Sequence, residues 1–265
     1  MQENEKSYSS FDLPVRQLQD NTPMSEAEWQ VRKDLAAAYR LCALFGWDDL
    51  IYTHLSARVP GDLHHFLVNP LGLAFDEITA SSLVKIDLEG NIIGESELPP
   101  NAAGFVIHSA IHAARDDAHC VMHLHTEAGM ALSCLEEGLL PLTQHAMRFF
   151  DRIGYHDYEG IALTTGERER LVQDLGAAAA MVLRNHGTLT TGSSVGHAFV
   201  EMFYLEKAAR VQMQVLASGR PLRMPDRQLA ALTADQWATD LKKAHSREWP
   251  SLLRRLDRVS PGYAD

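Results

Sequence analysis

The sequence lacks paired cysteines, an excess of positive charge and any apolar run long enough to span a bilayer. Its three cysteines form no CxxC pair, and its first residues do not resemble a secretory signal, so we expect a reduced, cytoplasmic protein. The net charge of −11 argues against binding to nucleic acid or to an anionic membrane. P-loop, GxGxxG and GxSxG motifs are also absent. These absences favour a small molecule as the binding partner.

Segments with strand and helix patterns alternate along the chain. Helices are predicted over 29–45, where Ser25 and Glu28 fit a capping box, and over 102–115, 127–135, 167–175 and 195–217. Strands are predicted over 55–59, 66–69, 81–87, 120–124 and 180–184. Several strands are joined by tight turns, which indicates a mixed sheet surrounded by helices. We expect one domain over 25–218, a flexible N-terminal tail over 1–24, and a C-terminal extension over 219–265 that packs on the domain or on a neighbouring subunit.

Histidine is the unusual component, with 13 copies. His123 and His125 are separated by one residue in a strand pattern that begins at Cys120, and alternate residues of a strand share one face. The two imidazoles would therefore lie side by side, where they could bind a zinc, iron or manganese ion. The alternative is a pair of histidines in a polar cleft.

A third ligand has to come from another part of the chain. His186 is the candidate, because it ends a predicted strand immediately before Gly187, where a turn can expose its side chain. The alternative role for His186 is that of a hydrogen-bonded core residue. His108 and His112 are also spaced as ligands on one helix, but Ser109 stands where a zinc-protease motif requires glutamate. For this pair, packing on the helix face is the favoured interpretation.

Several motifs together resemble the class II aldolase/adducin family over residues 27–218. They are Asn101–His108, His123–Thr126, Leu183–Gly187, Ser56–Gly61, Asn69–Gly72 and Leu83–Asp87. The resemblance implies a three-layer α/β/α sandwich with a mixed, largely antiparallel sheet, assembled as a homotetramer with active sites at subunit interfaces. It also implies that a divalent ion, zinc in the sugar-phosphate aldolases, is held at His123, His125 and His186.

The sequence departs from the aldolase pattern at several positions around this site. Gly104 stands where aldolases carry a catalytic glutamate. Alanines at 102 and 103 replace two phosphate-binding serines, Thr53-His54 replaces a Gly-Asn pair, and Leu71 replaces a hydroxyl residue. Glycine cannot transfer a proton, and the phosphate contacts are largely missing. A phosphorylated sugar is therefore disfavoured as the substrate.

Three functions fit this combination. The first is a metal-dependent carbon–carbon lyase, aldol-type or decarboxylating, that acts on a small non-phosphorylated carbonyl compound. The second is a non-haem iron oxygenase acting on an aromatic keto acid, and the third is a non-catalytic adducin-like oligomerising module. In an enzyme, proton transfer could come from His54, His145, His156 or Glu159. Each of these four residues could equally be structural or solvated.

Overall fold

The computed structural model describes residues 16–20, 23–61, 64–100, 102–161, 165–239 and 245–265. Its strands are β1 (Gln17–Leu18), β2 (His54–Arg58), β3 (His65–Val68), β4 (Val84–Asp87), β5 (Ile92–Ile93), β6 (Cys120–Leu124), β7 (Ile153–His156), β8 (Ala180–Leu183) and β9 (Gly187–Gly192). Its α-helices are α1 (Glu26–Phe45), α2 (Ala102–Ala114), α3 (Glu127–Ser133), α4 (Gln144–Met147), α5 (Arg168–Leu175), α6 (Val195–Ala217), α7 (Arg227–Thr239) and α8 (His245–Val259). None of these helices is both long and apolar enough to cross a membrane.

The nine strands form one sheet in the order β1-β5-β4-β3-β2-β6-β9-β8-β7. Strands β1 and β5 are parallel, as are β7 and β8, and the other neighbouring pairs are antiparallel. The prediction of a mixed, largely antiparallel sheet is therefore confirmed. The central strand β6 lies between β2 and β9, which buries it on both edges.

Helices cover both faces of the sheet. Cys120, Met122 and Leu124 of β6 pack into a core with residues of α1 and α6. Val121, between them, belongs to a second core with residues of α2 and α5. Since strand side chains alternate between faces, this division creates three layers, as expected. It also places His123 on the same side as α2.

Helix α1 begins and ends where its sequence predicts. The Ser25 hydroxyl accepts a hydrogen bond from the backbone N–H of Glu28 at 3.0 Å, and Gly46 ends the helix with φ of 68°. The Glu28 carboxylate, however, faces the Arg32 guanidinium at 3.0 Å and the Lys85 ammonium at 3.4 Å. Its side chain thus contributes a buried ion pair with these two cations.

Strands β7 and β9 lie where the sequence analysis assigned no strand. Strand β9 is fully buried although it is rich in threonine. The Thr190 hydroxyl donates to the Ala198 carbonyl of α6 at 3.0 Å, so this buried polar group is satisfied. A polar strand of this kind carries no alternation of apolar and polar residues.

Both terminal segments contribute to the structure. Residues 1–15 and 21–22 of the predicted tail lie outside the described residues, but Gln17–Leu18 pairs with Ile92–Ile93 as an edge strand. In the C-terminal extension, α8 packs on α6 and α1, and the Trp249 indole donates to Asp34 at 3.1 Å. The extension therefore covers the α1–α6 face of its own chain.

Candidate metal centre

The three histidines singled out by the sequence meet at one end of the central strands. His123 lies on β6, His125 follows that strand directly, and His186 lies in the turn between β8 and β9. One potential ligand nitrogen from each ring lies within 4.8 Å of the other two. His123 is buried, whereas His125 and His186 are half-buried. The cluster therefore has a buried inner side at His123 and a partly exposed outer side at His125 and His186.

Two hydrogen bonds determine which ring nitrogens of His123 and His125 are free to bind a cation. His123 Nδ1 lies 3.1 Å from the Thr188 carbonyl oxygen, and His125 Nδ1 lies 2.9 Å from Asp49 Oδ2. Both oxygens only accept, so each Nδ1 carries the proton and each Nε2 has a bare lone pair. A hydrogen bond that the distal ring N–H donates to a carbonyl or carboxylate oxygen is the usual support for metal-binding histidines.

The two Nε2 atoms lie only 2.9 Å apart. In neutral rings of this tautomer they are both acceptors, so they cannot form a hydrogen bond with each other. A divalent cation shared between the lone pairs resolves this arrangement, and the His186 ring, with its centroid 4.6 Å from that of His123, supplies the third donor. The donor set therefore fits a metal ion of the kind that imidazole prefers.

Burial favours the neutral forms of the His123 and His186 rings. Burial first, and then the nearby His186 and His125, lowers the pKa of His123 well below its usual range. Burial and the charges of His125 and His156 lower the pKa of His186 to about 4. Neutral imidazole is the form that binds metal, so His123 and His186 are available as ligands at neutral pH.

Backbone strain is concentrated around the site. Four non-glycine residues in the described part of the chain have left-handed φ values, and three of them adjoin residues of the site. These are Leu50 beside Asp49, Thr53 beside His54, and Asn185 beside His186. Thr53, at φ of 63°, is β-branched, which makes this conformation especially unfavourable. Such strain costs about 1–3 kcal/mol per residue and is typical of functional sites.

His54 occupies the space beside Gly104. The two residues lie on β2 and α2, and a Cβ atom added at Gly104 would be 2.8 Å from both Cδ2 and Cγ of the His54 ring. His54 is also the cross-strand partner of His123, with ring centroids 5.1 Å apart. His54 thus lies next to the cluster of three histidines. It packs against Gly104, the position of α2 where aldolases carry glutamate.

His54 continues into a buried network that we call the histidine relay, made of His54, His108, Ser56 and His112. His54 Nδ1 lies 2.8 Å from His108 Nε2. The Ser56 hydroxyl contacts His108 Nδ1 at 2.6 Å and His112 Nε2 at 2.8 Å. His112 Nδ1 ends the relay on the Ala118 carbonyl at 3.1 Å. His108 and His112 are therefore hydrogen-bonded to a strand residue, so the interpretation of this pair as simple helix-face packing is incomplete.

The imidazole rings of the histidine relay are held in their uncharged form. Its imidazoles are buried, and burial followed by the Arg58 charge lowers the pKa of His112 to about 3. Burial, followed by the neighbouring histidines, also lowers the pKa values of His54 and His108 well below the usual range.

His156 and Glu159, two further candidates for proton transfer, are engaged in ion pairs. His156 donates from Nδ1 to Asp174 at 2.7 Å and from Nε2 to Glu167 at 3.0 Å. The hydrogen bond to Glu167, ahead of that to Asp174, raises the pKa of His156. Both Glu159 oxygens accept hydrogen bonds from Arg170. These contacts use the atoms that proton transfer would require.

His145, the fourth candidate, lies in another cluster. Its ring stacks on Tyr204 of α6 with centroids 4.9 Å apart, and Trp237 of α7 is 6.4 Å away. The contacts described for His145 join it to this aromatic cluster and not to the three metal-site histidines. Ala102 and Ala103, two departures from the aldolase pattern, have side chains that lie outside the described residues. Asn101 lies outside them as well.

Sequence reasoning missed three groups around the site. Asp49 and the Thr188 carbonyl orient His125 and His123, and the Tyr158 ring lies 6.0 Å from that of His186. Asp49 and Thr188 are distant from their partners along the chain and match no motif. Tyr158 is 51% exposed, so it faces the open side of the cluster.

Comparison with known proteins gives consistent similarities. Residues 33–213 match the family described as Class II Aldolase and Adducin N-terminal domain. A Caulobacter vibrioides protein, named for class 2 aldolases without a substrate, is 53% identical over 259 residues, covering 96% of this chain and 98% of that protein. The solved L-fuculose 1-phosphate aldolase of Glaciozyma antarctica PI12 is 27% identical with a TM-score of 0.77, covering 91% of this chain and 96% of that one.

A third similarity is to a protein named as an adducin. Alpha-adducin of Mus musculus is 44% identical over 210 residues, which are 77% of this chain but 28% of that protein. The similar proteins thus include one named for an aldolase and one named for an adducin, and both align with the part of the chain that holds the three histidines.

Proposed function

Since this chain belongs to the class II aldolase and adducin family, we propose that it is a metal-dependent carbon–carbon lyase. Its substrate would be a small, non-phosphorylated carbonyl compound, cleaved by an aldol-type or a decarboxylating reaction. The observation that carries the proposal is the convergence of three histidine nitrogens within 4.8 Å, two of them with their lone pairs directed by hydrogen bonds. We assign the ligand role to His123, His125 and His186, and we name zinc first, with iron or manganese as alternatives.

Each part of the site has a chemical task in this proposal. A divalent ion, when bound, supplies a Lewis acid that polarises a carbonyl oxygen. Asp49 and the Thr188 carbonyl hold two of the imidazoles in the ligating tautomer. His123 is buried, so water is excluded from the inner side of the site, which strengthens electrostatic interactions with a bound substrate.

The substrate class follows from what surrounds the metal cluster. The aldolase pattern places a Gly-Asn pair where this chain has Thr53 and His54. Here His54 is buried against Gly104, and the buried Thr53 hydroxyl has no hydrogen-bond partner among the described residues. This wall holds no Lys or Arg side chain in its described contacts, which favours an uncharged or weakly charged substrate group at this position over a phosphate.

The test begins with metal analysis of protein purified without added metal. We expect about one divalent ion per chain and cleavage of small hydroxy-keto acids that is lost after chelation. His123→Ala should abolish metal binding while the far-ultraviolet circular dichroism spectrum is retained. The matched control, His119→Ala, removes an exposed histidine immediately before the same strand and should leave metal binding intact. Native metal stoichiometry in His123→Ala would contradict the ligand assignment.

A non-catalytic, adducin-like binding module is the second candidate, favoured by the 44% identity to alpha-adducin. Folded wild-type protein that binds neither zinc, manganese nor iron in titrations would support this function against the lyase. Bound iron together with oxygen uptake on an aromatic keto acid would instead support an oxygenase.

We further propose that the protein is a cytoplasmic homotetramer with its sites at subunit interfaces. The half-buried His125 and His186 and the exposed Tyr158 leave the open side of the cluster available for a neighbouring subunit. Light scattering should give a mass four times that of the chain. A fully metal-loaded and active monomer would contradict the shared site.

A further inference from the structure

The histidine relay has a direction that follows from its hydrogen bonds. The Ala118 carbonyl can only accept, so His112 Nδ1 carries a proton and His112 Nε2 is an acceptor. The Ser56 hydroxyl therefore donates its single proton to His112 at 2.8 Å. With that proton in use, Ser56 Oγ must accept from His108 Nδ1 at 2.6 Å.

The same reasoning fixes the last member of the relay. His108 has its proton on Nδ1, so its Nε2 accepts, and His54 Nδ1 must donate to it at 2.8 Å. A neutral His54 then has no proton on Nε2. No hydrogen-bond partner of this Nε2 occurs within the described residues. The Ala118 carbonyl thus fixes the tautomer of His54 through the chain of hydrogen bonds. The result is an unprotonated Nε2 on His54, the ring beside His123.

We propose that His54 is the proton acceptor of the active site, and that Ser56, His108 and His112 are positioning residues that fix its tautomer. The inference rests on the metal-dependent function proposed above. It supplies the base that the glycine at 104 cannot provide, from the ring that fills the space beside that glycine. The substrate class is a carbonyl compound with a C–H bond on the carbon next to the carbonyl group.

The proton transfer is balanced without a further reactant. The C–H bond next to the carbonyl breaks, an N–H bond forms at His54 Nε2, and the electron pair moves to the carbonyl oxygen. In the reverse step Nε2 returns a proton to the same carbon, so catalysis in heavy water replaces that hydrogen with deuterium. His54 Nδ1 keeps its own proton throughout, because the relay ends on a carbonyl that cannot take one up.

Burying the polar side chains of the histidine relay is energetically unfavourable, so we expect the relay to have a role in the site. His54, His108 and His112 are almost completely buried, and each buried polar group must be paired to avoid a desolvation penalty. Apolar side chains of similar volume would fill the same space between β2 and α2 without this requirement. Every hydrogen bond of the relay instead serves to define one nitrogen at its end.

The first measurement is the tautomer of His54. Long-range ¹H–¹⁵N spectra of protein labelled at histidine nitrogen distinguish protonated from bare ring nitrogens, and His54→Gln identifies the signals. We expect a protonated Nδ1 and a bare Nε2 in the metal-free wild type. A protonated Nε2 with a bare Nδ1 would overturn the inference without affecting the metal proposal, which zinc titration tests separately.

The second measurement is deuterium exchange into hydroxyacetone by the zinc-loaded protein in heavy water, followed by proton NMR. His54→Gln should bind zinc at wild-type stoichiometry but exchange about 10²–10⁴ times more slowly, the usual contribution of a general base. His119→Gln, the same change at an exposed histidine, should exchange at the wild-type rate. A wild-type exchange rate in His54→Gln would overturn the proposal.

The positioning role is tested at Ser56. Ser56→Ala removes the hydroxyl that joins His108 to His112, and we expect mixed protonation of the His54 nitrogens together with slower exchange. Ser56→Thr restores a hydroxyl and should recover the wild-type tautomer. A single, unchanged tautomer in folded Ser56→Ala would contradict the relay.

Discussion

The contact between Gly104 and His54 predicts that Gly104→Ala destabilises the protein when His54 is present and stabilises it when His54 is removed. In Gly104→Ala, the new Cβ would lie 2.8 Å from the Cδ2 and Cγ atoms of His54 and 3.3 Å from its Cβ. These atoms are near the root of the side chain, and Nδ1 is held by His108, so the ring cannot rotate away. Overpacking of this kind costs about 1–3 kcal/mol. Alanine is also a better helix former than glycine by up to about 1 kcal/mol.

The two effects can be separated with a double-mutant cycle. With His54 present, Gly104→Ala should lower the free energy of unfolding by about 0–3 kcal/mol, the overpacking cost less the helix gain. With His54→Ala as the background, the clash is gone, and the same substitution should stabilise the protein by up to about 1 kcal/mol. The expected coupling energy is therefore about 1–3 kcal/mol.

Urea denaturation of the four proteins, followed by tryptophan fluorescence, measures this coupling. The control cycle replaces His54→Ala with His119→Ala, which is exposed and should give additive effects. Additivity within about 0.5 kcal/mol in the His54 cycle would refute the idea that the histidine and the glycine share one space.

Two further predictions concern residues around the site. Asp49→Asn removes the carboxylate that orients His125, and the zinc dissociation constant measured by calorimetry should rise about 10–100-fold; an unchanged constant would show that Asp49 does not support the ligand. Because its carboxylate partners raise the pKa of His156, the stability that this residue contributes should be complete below the unfolded pKa of about 6.5 and should decline as pH rises through the folded pKa. The difference in unfolding free energy between wild type and His156→Gln should therefore shrink from pH 6 to pH 9, and a growing difference would contradict the ion pairs.

The meeting of the three histidines of the proposed metal site could be predicted from the sequence because it depends on local geometry. His123 and His125 follow from strand alternation across Leu124. His186 follows from a strand end at a glycine. In each case the relevant neighbours lie within a few residues, and the resemblance to a known family supplied the link between the two segments.

The groups that support these ligands could not be predicted in the same way. Asp49 lies 76 positions from His125, and Ser56 lies 52 positions from His108; only the folded sheet brings them together. Gly104 was recognised as the loss of an acid, but its relation to His54 depends on how closely α2 approaches β2. Strand β9 was missed because threonines fill positions that usually carry apolar residues, and their hydroxyls find partners that a sequence pattern cannot show.

The cluster of three histidines alone does not distinguish a lyase from a binding module, because a bound metal ion can also serve only to stabilise a fold. His54 supports the proposed lyase over the binding module, because a structural role for a buried histidine is fulfilled when both of its nitrogens are paired. His156 shows that arrangement, with a carboxylate at each nitrogen. One nitrogen of His54 is hydrogen-bonded to the histidine relay, and no partner for the other occurs in the described part of the chain. His54 also lies next to the strained Thr53 and to His123. A binding module gains nothing from this asymmetry, whereas a proton-transfer site requires it.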